Sequence, residues 1–132
     1  MDPPREMTEA ELRTWMDAYK VAFDAQDSEA AALLFTEDGT YQWGPFGKLL
    51  VGRDEIRREW DAHQDDEEIA EMTYEVLAVT PEVGVARWIA SHTNERQRRR
   101  HRMDGVFVVT LTDDGLCDSF REWWNVREET LD

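Results

Sequence analysis

Apolar side chains recur at helical intervals near the start of this chain and at every second position beyond residue 69. Leu12, Trp15, Met16, Tyr19 and Phe23 fall on one stripe. Thr8-Glu9-Ala10-Glu11 ahead of them has capping-box spacing, which predicts a first helix running to about Gln26. Asp27-Ser28 then caps a short second helix through Ala30, Leu33 and Leu34. Glu37-Asp38-Gly39 turns the chain into a brief strand, Thr40 to Trp43, and Gly44-Pro45-Phe46-Gly47 reads as a loop. After the acidic turn Gly52-Arg53-Asp54-Glu55, Ile56 and Trp60 lie four residues apart and predict a third helix, followed by the acid run Asp65 to Glu68.

Four segments rich in Val, Ile, Thr and aromatics follow, at 69–80, 83–93, 101–112 and 116–127. Pro81-Glu82, Asn94 to Arg100 and Asp113-Asp114-Gly115 separate them, which predicts four long strands in meander order. Helices first and a mostly antiparallel sheet afterwards is an α+β layout. Long antiparallel strands twist, so three N-terminal helices packed on the concave face of a curved antiparallel sheet would make a cone with a blind interior. With 132 residues and no internal repeat or linker, the chain reads as one domain over 1–132.

Composition sharpens this picture at a few points. The chain carries 6 Trp, 5 Phe and 3 Tyr, a large aromatic surface that calls for a deep core or a lined cavity. A formal charge of −15 argues against nucleic acid or an anionic membrane as partner. The one basic run, Arg96 to Arg102, falls at a hairpin tip with no interleaved aromatics, which suits a solvated turn facing acids such as Asp65 to Glu68. Cys117 is the only cysteine, so no internal disulfide forms and a Cys-based zinc site lacks a second thiolate. Met1-Asp2-Pro3-Pro4 leads into an acidic helix without a basic n-region or an apolar h-region, and the reading is a cytoplasmic protein.

The stretch Gly115 to Val126, GLCDSFREWWNV, raises the sharpest question of chemistry. Strand alternation puts Phe120, Glu122 and Trp124 on one face and Arg121, Trp123 and Asn125 on the other. Glu122 is therefore either an acid in an apolar pocket or a surface charge on a sheet whose buried side is the other one.

Four segments carry a family resemblance: Ala18 to Trp43, Val51 to Trp60 with its Gly-Arg-Asp-Glu-Ile start, Val83 to Thr93, and Asp104 to Trp124. In these the chain resembles the nuclear transport factor 2-like superfamily, in its SnoaL-like and ketosteroid-isomerase-like branch. That superfamily includes isomerases, cyclases, dehydratases, epoxide hydrolases and proteins that only bind or dimerise. Ketosteroid isomerases carry a general base and an oxyanion hole made by a tyrosine and a protonated aspartic acid. Their tyrosine matches Tyr19. Their base falls at Gly44, or at Trp43 without a gap, and their oxyanion acid falls at Phe107, with Asp104 three positions away on the opposite face. Two of three parts are missing, which argues against steroid isomerisation by that mechanism.

The same register implies an inward face made by Phe120, Glu122 and Trp124 on the last strand and by Ala86, Trp88, Ala90 and His92 on the strand 83–93. The resemblance thus implies catalytic roles for Glu122, Tyr19 and His92: Glu122 as the proton-transferring acid that SnoaL-type cyclases place inward, Tyr19 as a hydroxyl donor, and His92 as an imidazole near a ligand. Expected ligand-binding residues are Trp15, Phe23, Trp43, Phe46 and Trp60 from the helices and loop. Trp88, Met103, Phe107, Phe120 and Trp124 are expected from the strands. The competing readings stay open: Glu122 tied to a backbone group or an Arg at the cone mouth, Tyr19 as an ordinary core tyrosine, and Trp43, Phe46 and Trp60 as core filling.

His63 lies on the outer end of the third helix and His101 begins a strand beside Arg100; no His-x-x-x-His or Glu-x-x-His pair suggests a metal. Val85, Ile89, Val106, Val108 and Trp123 have the parity opposite to the inward set, which predicts a homodimer packed through the sheets. Two functions follow. One is a pocket for a small apolar or aromatic molecule, with isomerase, cyclase or dehydratase chemistry and no cofactor. The other is a binding or dimerisation module whose cavity is filled by its own tryptophans.

Overall fold

In the computed structural model, which describes residues 7–132, the hydrophobic pattern of the first thirty residues becomes two helices, α1 (Glu9–Ala25) and α2 (Ser28–Ala32). The reading of Met1 to Pro4 falls outside the described residues. Thr8 caps α1 through its hydroxyl, which accepts from the Glu11 backbone N–H at 3.1 Å. Gln26 ends the helix in a left-handed conformation with φ 52°, and Asp27 caps α2 by accepting from Ala30 N. The apolar stripe of α1 is buried as its spacing demands, with Leu12 and Met16 fully inaccessible and Trp15 and Tyr19 nearly so.

The rest of the chain forms β1 (Phe35–Trp43), β2 (Leu50–Val51), α3 (Arg53–Ala62), β3 (Glu68–Val79), β4 (Gly84–Asn94), β5 (Arg99–Leu111) and β6 (Cys117–Thr130). The strands make one curved, unclosed sheet in the order β2-β1-β6-β5-β4-β3. The meander β3 to β6 is antiparallel throughout, as the alternating pattern implies. The seam between β1 and β6 is parallel, which makes the sheet mixed rather than antiparallel throughout.

That seam corrects a local expectation. The segment Glu37-Asp38-Gly39 does not end a loop before a four-residue strand but lies inside β1. Phe35 faces Cys117 and Thr40 faces Ser119, so β1 bulges between them while β6 advances by only two residues. A side chain at Gly39 would come within 2.9 Å of the Cys117 carbonyl, so the bulge needs its glycine. The consequence for the site is that Tyr41 and Trp43 arrive beside Phe120 and Glu122.

α1 covers the inner face of the sheet and is tied to the exposed edge strand: Asp24 accepts from Met72 N at 2.9 Å, and Tyr74 donates to Asp17 at 2.5 Å. α3 presents Ile56, fully buried, and Trp60 to the same interior. On the outer face, Ile89 and Trp123 are 36% and 39% exposed, interspersed with the ion pair Arg87–Asp104 at 2.6 Å. At the β4–β5 turn, Arg96 pairs with Glu67 at 3.2 Å. Among the described residues, no helix is long and apolar enough to cross a membrane.

Candidate functional site

The inner face of the sheet is a stack of rungs across β6, β5 and β4. Glu122 stands opposite Phe107, and Phe107 opposite Ala86. Next come Trp124, Gly105 and Trp88, then Val126, Met103 and Ala90, and last Glu128, His101 and His92. Below Glu122 the rung of Phe120, Val109 and Gly84 is closed by α1 and is fully packed. Above it a cavity of about 520 Å³ opens along the rungs.

Glu122 is 7% exposed and sits at the inner end of this cavity. Its Oε1 accepts a hydrogen bond from the Tyr41 hydroxyl at 2.7 Å, and that hydroxyl lies 3.5 Å from the hydroxyl of Tyr19. Oε2 has no hydrogen-bond partner among the described residues, and it is left for whatever enters. Neither an Arg nor a backbone group holds this carboxyl. The backbone carbonyl of Glu122 instead accepts from Gly44 N at 2.7 Å, which fixes the strand beneath it.

Burial in this aromatic setting pushes the Glu122 carboxyl up to about 7, although the Tyr41 hydrogen bond pulls it down. Both phenols are raised well above the ordinary tyrosine range, by burial first and by the neighbouring Glu122 charge second. Near neutral pH the chain of three groups therefore contains one proton that moves readily, on Glu122, and two that do not.

The register also locates the positions that the resemblance aligned with the isomerase acids. Trp43, at one of the two positions aligned with the isomerase base, faces Glu122 across the β1–β6 seam. Phe107, at the position of the oxyanion acid, faces it across β5. Glu122 stands between these two aromatic positions.

Of the expected lining residues, Phe23, Trp43, Trp60, Trp88, Met103, Phe107 and Trp124 border the cavity. The indoles form walls and do not fill the space: Trp88 stacks on Phe107 at 5.0 Å and meets Trp124 at 6.2 Å. Gly105 makes this rung possible, because a Cβ there would come 1.9 Å from the Trp123 carbonyl.

Three expectations are corrected. Phe120 has the inward parity but lies one rung too deep, where Tyr19 and Tyr41 stack on it at 5.4 and 4.7 Å. Trp15, one helical turn below Tyr19, is 3% exposed and donates its indole N–H to the Leu34 carbonyl at 2.9 Å. Phe46, at the tip of its turn, is 99% exposed and reaches nothing inside.

Tyr19 is a core tyrosine by burial and also borders the inner end of the cavity. His92 lies at the other end, its ring 5.3 Å from Phe23 and its Nδ1 3.7 Å from Glu68. Burial, then the nearby His101 and His63, hold its pKa below the ordinary histidine value. His101 and His63, not among the expected lining residues, also border the mouth. Tyr41 was missed too, although its place two residues before Trp43 gives it the same parity. Among the described residues, no cluster of three or more His, Cys, Asp or Glu is arranged to hold a metal ion.

Comparison with known proteins places this geometry. Protein RV0760c from Mycobacterium tuberculosis superposes with a TM-score of 0.77 at 16% identity, covering 94% of this chain and all (100%) of that one. SalBIII, an epoxide hydrolase/cyclase-like enzyme with a role in pyran ring formation in the polyether salinomycin, gives 0.72 at 26% identity, with 89% and 92% covered. A computationally designed 17-OHP binder gives 0.74 at 18% identity, with 89% and 96% covered. The sequence matches none of the curated proteins. Residues 12–119 match the SnoaL-like domain family, and with this fold the chain belongs to that family within the nuclear transport factor 2-like superfamily.

Proposed function

We propose that this protein binds a small apolar or aromatic molecule in its cavity and moves a proton on it with Glu122, as a cofactor-independent isomerase, cyclase or dehydratase. The observation that carries the reading is one carboxyl oxygen, Glu122 Oε2, without a protein partner at the closed end of an aromatic cavity of about 520 Å³. As a carboxylate it takes a proton from carbon next to a carbonyl; as the neutral acid it returns that proton to another carbon or protonates a departing hydroxyl. A carboxyl held up to about 7 populates both forms at neutral pH. Tyr41 aims the carboxyl, and Tyr19 supports Tyr41. The likeness to an epoxide hydrolase/cyclase-like enzyme is in keeping with acid–base chemistry on this scaffold.

One observation favours a second reading, binding without chemistry. The hydroxyls of Tyr41 and Tyr19 are engaged with Glu122 and with each other, so a ligand oxygen meets no free phenol. Deuterium exchange separates the two. With 2-tetralone in D2O, proton NMR should show faster loss of the protons next to the carbonyl with the wild type than with Glu122→Gln. Binding without acceleration would leave the second reading. We also propose that the outer face of the sheet, with Trp123 at its centre, joins two copies; sedimentation should give a dimer that Trp123→Glu turns into a monomer.

A further inference from the structure

The rung register bears on the shape of what the cavity accepts. Glu122 and His92 border the same cavity but stand three rungs apart, six residues of strand or about 20 Å of backbone. Between them β4, β5 and β6 contribute Trp88, Trp124, Met103 and Val126, a wall that is apolar apart from its indole N–H groups, of which that of Trp88 is buried without a partner among the described residues. α1 repeats the order, with Tyr19 beside the acid and Phe23, one turn later, packed on the His92 ring. At the inner end Glu122 Oε2 is free. At the outer end His92, with its side chain 25% exposed, has among the described residues only Glu68 within 4 Å as a charged neighbour, at 3.7 Å, beyond hydrogen-bond distance.

We infer that His92 is not part of the proton-transfer site but a specificity residue that reads the far end of an elongated, non-anionic ligand bearing one oxygen at each end. This rests on the proposed function and adds the substrate class to it. Neutral imidazole offers one donor and one acceptor, which suits a hydroxyl or a carbonyl. An anionic tail is disfavoured, because Glu59 and Glu68 border the same mouth in a chain of formal charge −15. The Glu59 carboxylate lies 2.8 Å from His63, and Glu68 lies 3.7 Å from His92.

The test uses rigid rods that differ only in length and in the second oxygen: phenol and hydroquinone, 4-hydroxybiphenyl and 4,4′-dihydroxybiphenyl, and the matching p-terphenyl pair. Binding is read by quenching of tryptophan fluorescence, with calorimetry as the second measurement. The second hydroxyl should gain nothing in the one-ring pair and about three- to tenfold in a longer pair. His92→Phe should erase that gain while keeping the affinity for the monohydroxy rod, and His92→Gln should restore part of it. A gain equal at all lengths, or one that survives His92→Phe, overturns the inference and leaves the Glu122 reading standing. If no rod binds, both fall.

Discussion

The inner face of one sheet is solid at one end and hollow at the other. In the packed end, Phe120, Phe35, Trp15 and Met16 fill the space between α1 and the strands with no room left. In the hollow end the sheet continues with the same alternation, yet α1 supplies only Tyr19, Phe23 and its C-cap Gln26, and α3 supplies Glu59 and Trp60. The alternation pattern does not distinguish the two ends, because both read as inward apolar positions. What separates them is how far the helices reach along the strands. Glu122 stands at the boundary, with packed aromatics below it and open space above, where the charged form loses hydration and one oxygen still finds space.

That contrast can be broken by substitution, beginning at the packed end. Phe120→Ala removes a fully buried ring and should cost about 3–5 kcal/mol in chemical denaturation, whereas Trp124→Ala, facing the cavity, should cost less than half of that and weaken ligand binding instead. Equal costs would mean that the hollow end is packed in solution.

The next effect lies at the boundary and depends on pH. The folded-state carboxyl of Glu122 titrates at about 7 against the ordinary 4.5, so the folded protein holds this proton more tightly than the unfolded chain. Its contribution to stability is full below about 4.5, declines as pH rises to about 7, and is level beyond. Glu122→Gln should therefore be more stable than the wild type at pH 8 by up to about 3 kcal/mol, with the difference fading toward pH 4. A constant difference across that window would remove the case for a buried acid.

Tyr41→Phe should be smaller, about 1 kcal/mol by the lost hydrogen bond, and should move the Glu122 carboxyl further up, because that bond favours the charged form. In the deuterium-exchange assay its rate profile should shift to higher pH. Smallest of all is Phe46→Ala, within about 0.5 kcal/mol and without effect on binding, since the ring is 99% exposed.

The sequence made the sheet legible because strands 69–80 to 116–127 are long, alternating and separated by turn residues, and the observed register follows that parity without a slip between β4 and β5. The parallel β1–β6 seam was not legible. It joins residues far apart in the chain, and its bulge at Glu37 to Gly39 looks in sequence like an ordinary turn. For the site, parity left two faces open and the register of the resemblance chose the one that holds Glu122, Trp88 and His92, but neither carried depth, so Phe120 and Trp15 were expected in a cavity that begins one rung higher. His63 gave no apolar pattern to read, because its side chain at the mouth is mostly in water. Tyr41 shares the parity of Trp43, His101 that of Met103 and Val126 that of Trp124, and these signals were left unused.

The most direct test of the account is the titration of Glu122 itself. With glutamate labelled at the side-chain carboxyl carbon, the 13C resonance missing from Glu122→Gln identifies the residue among the other acids. The account predicts a midpoint of about 7 in the wild type, moving upward in Tyr41→Phe. A midpoint near 4.5, unmoved by that substitution, would mean a hydrated carboxylate outside the hollow and would contradict it.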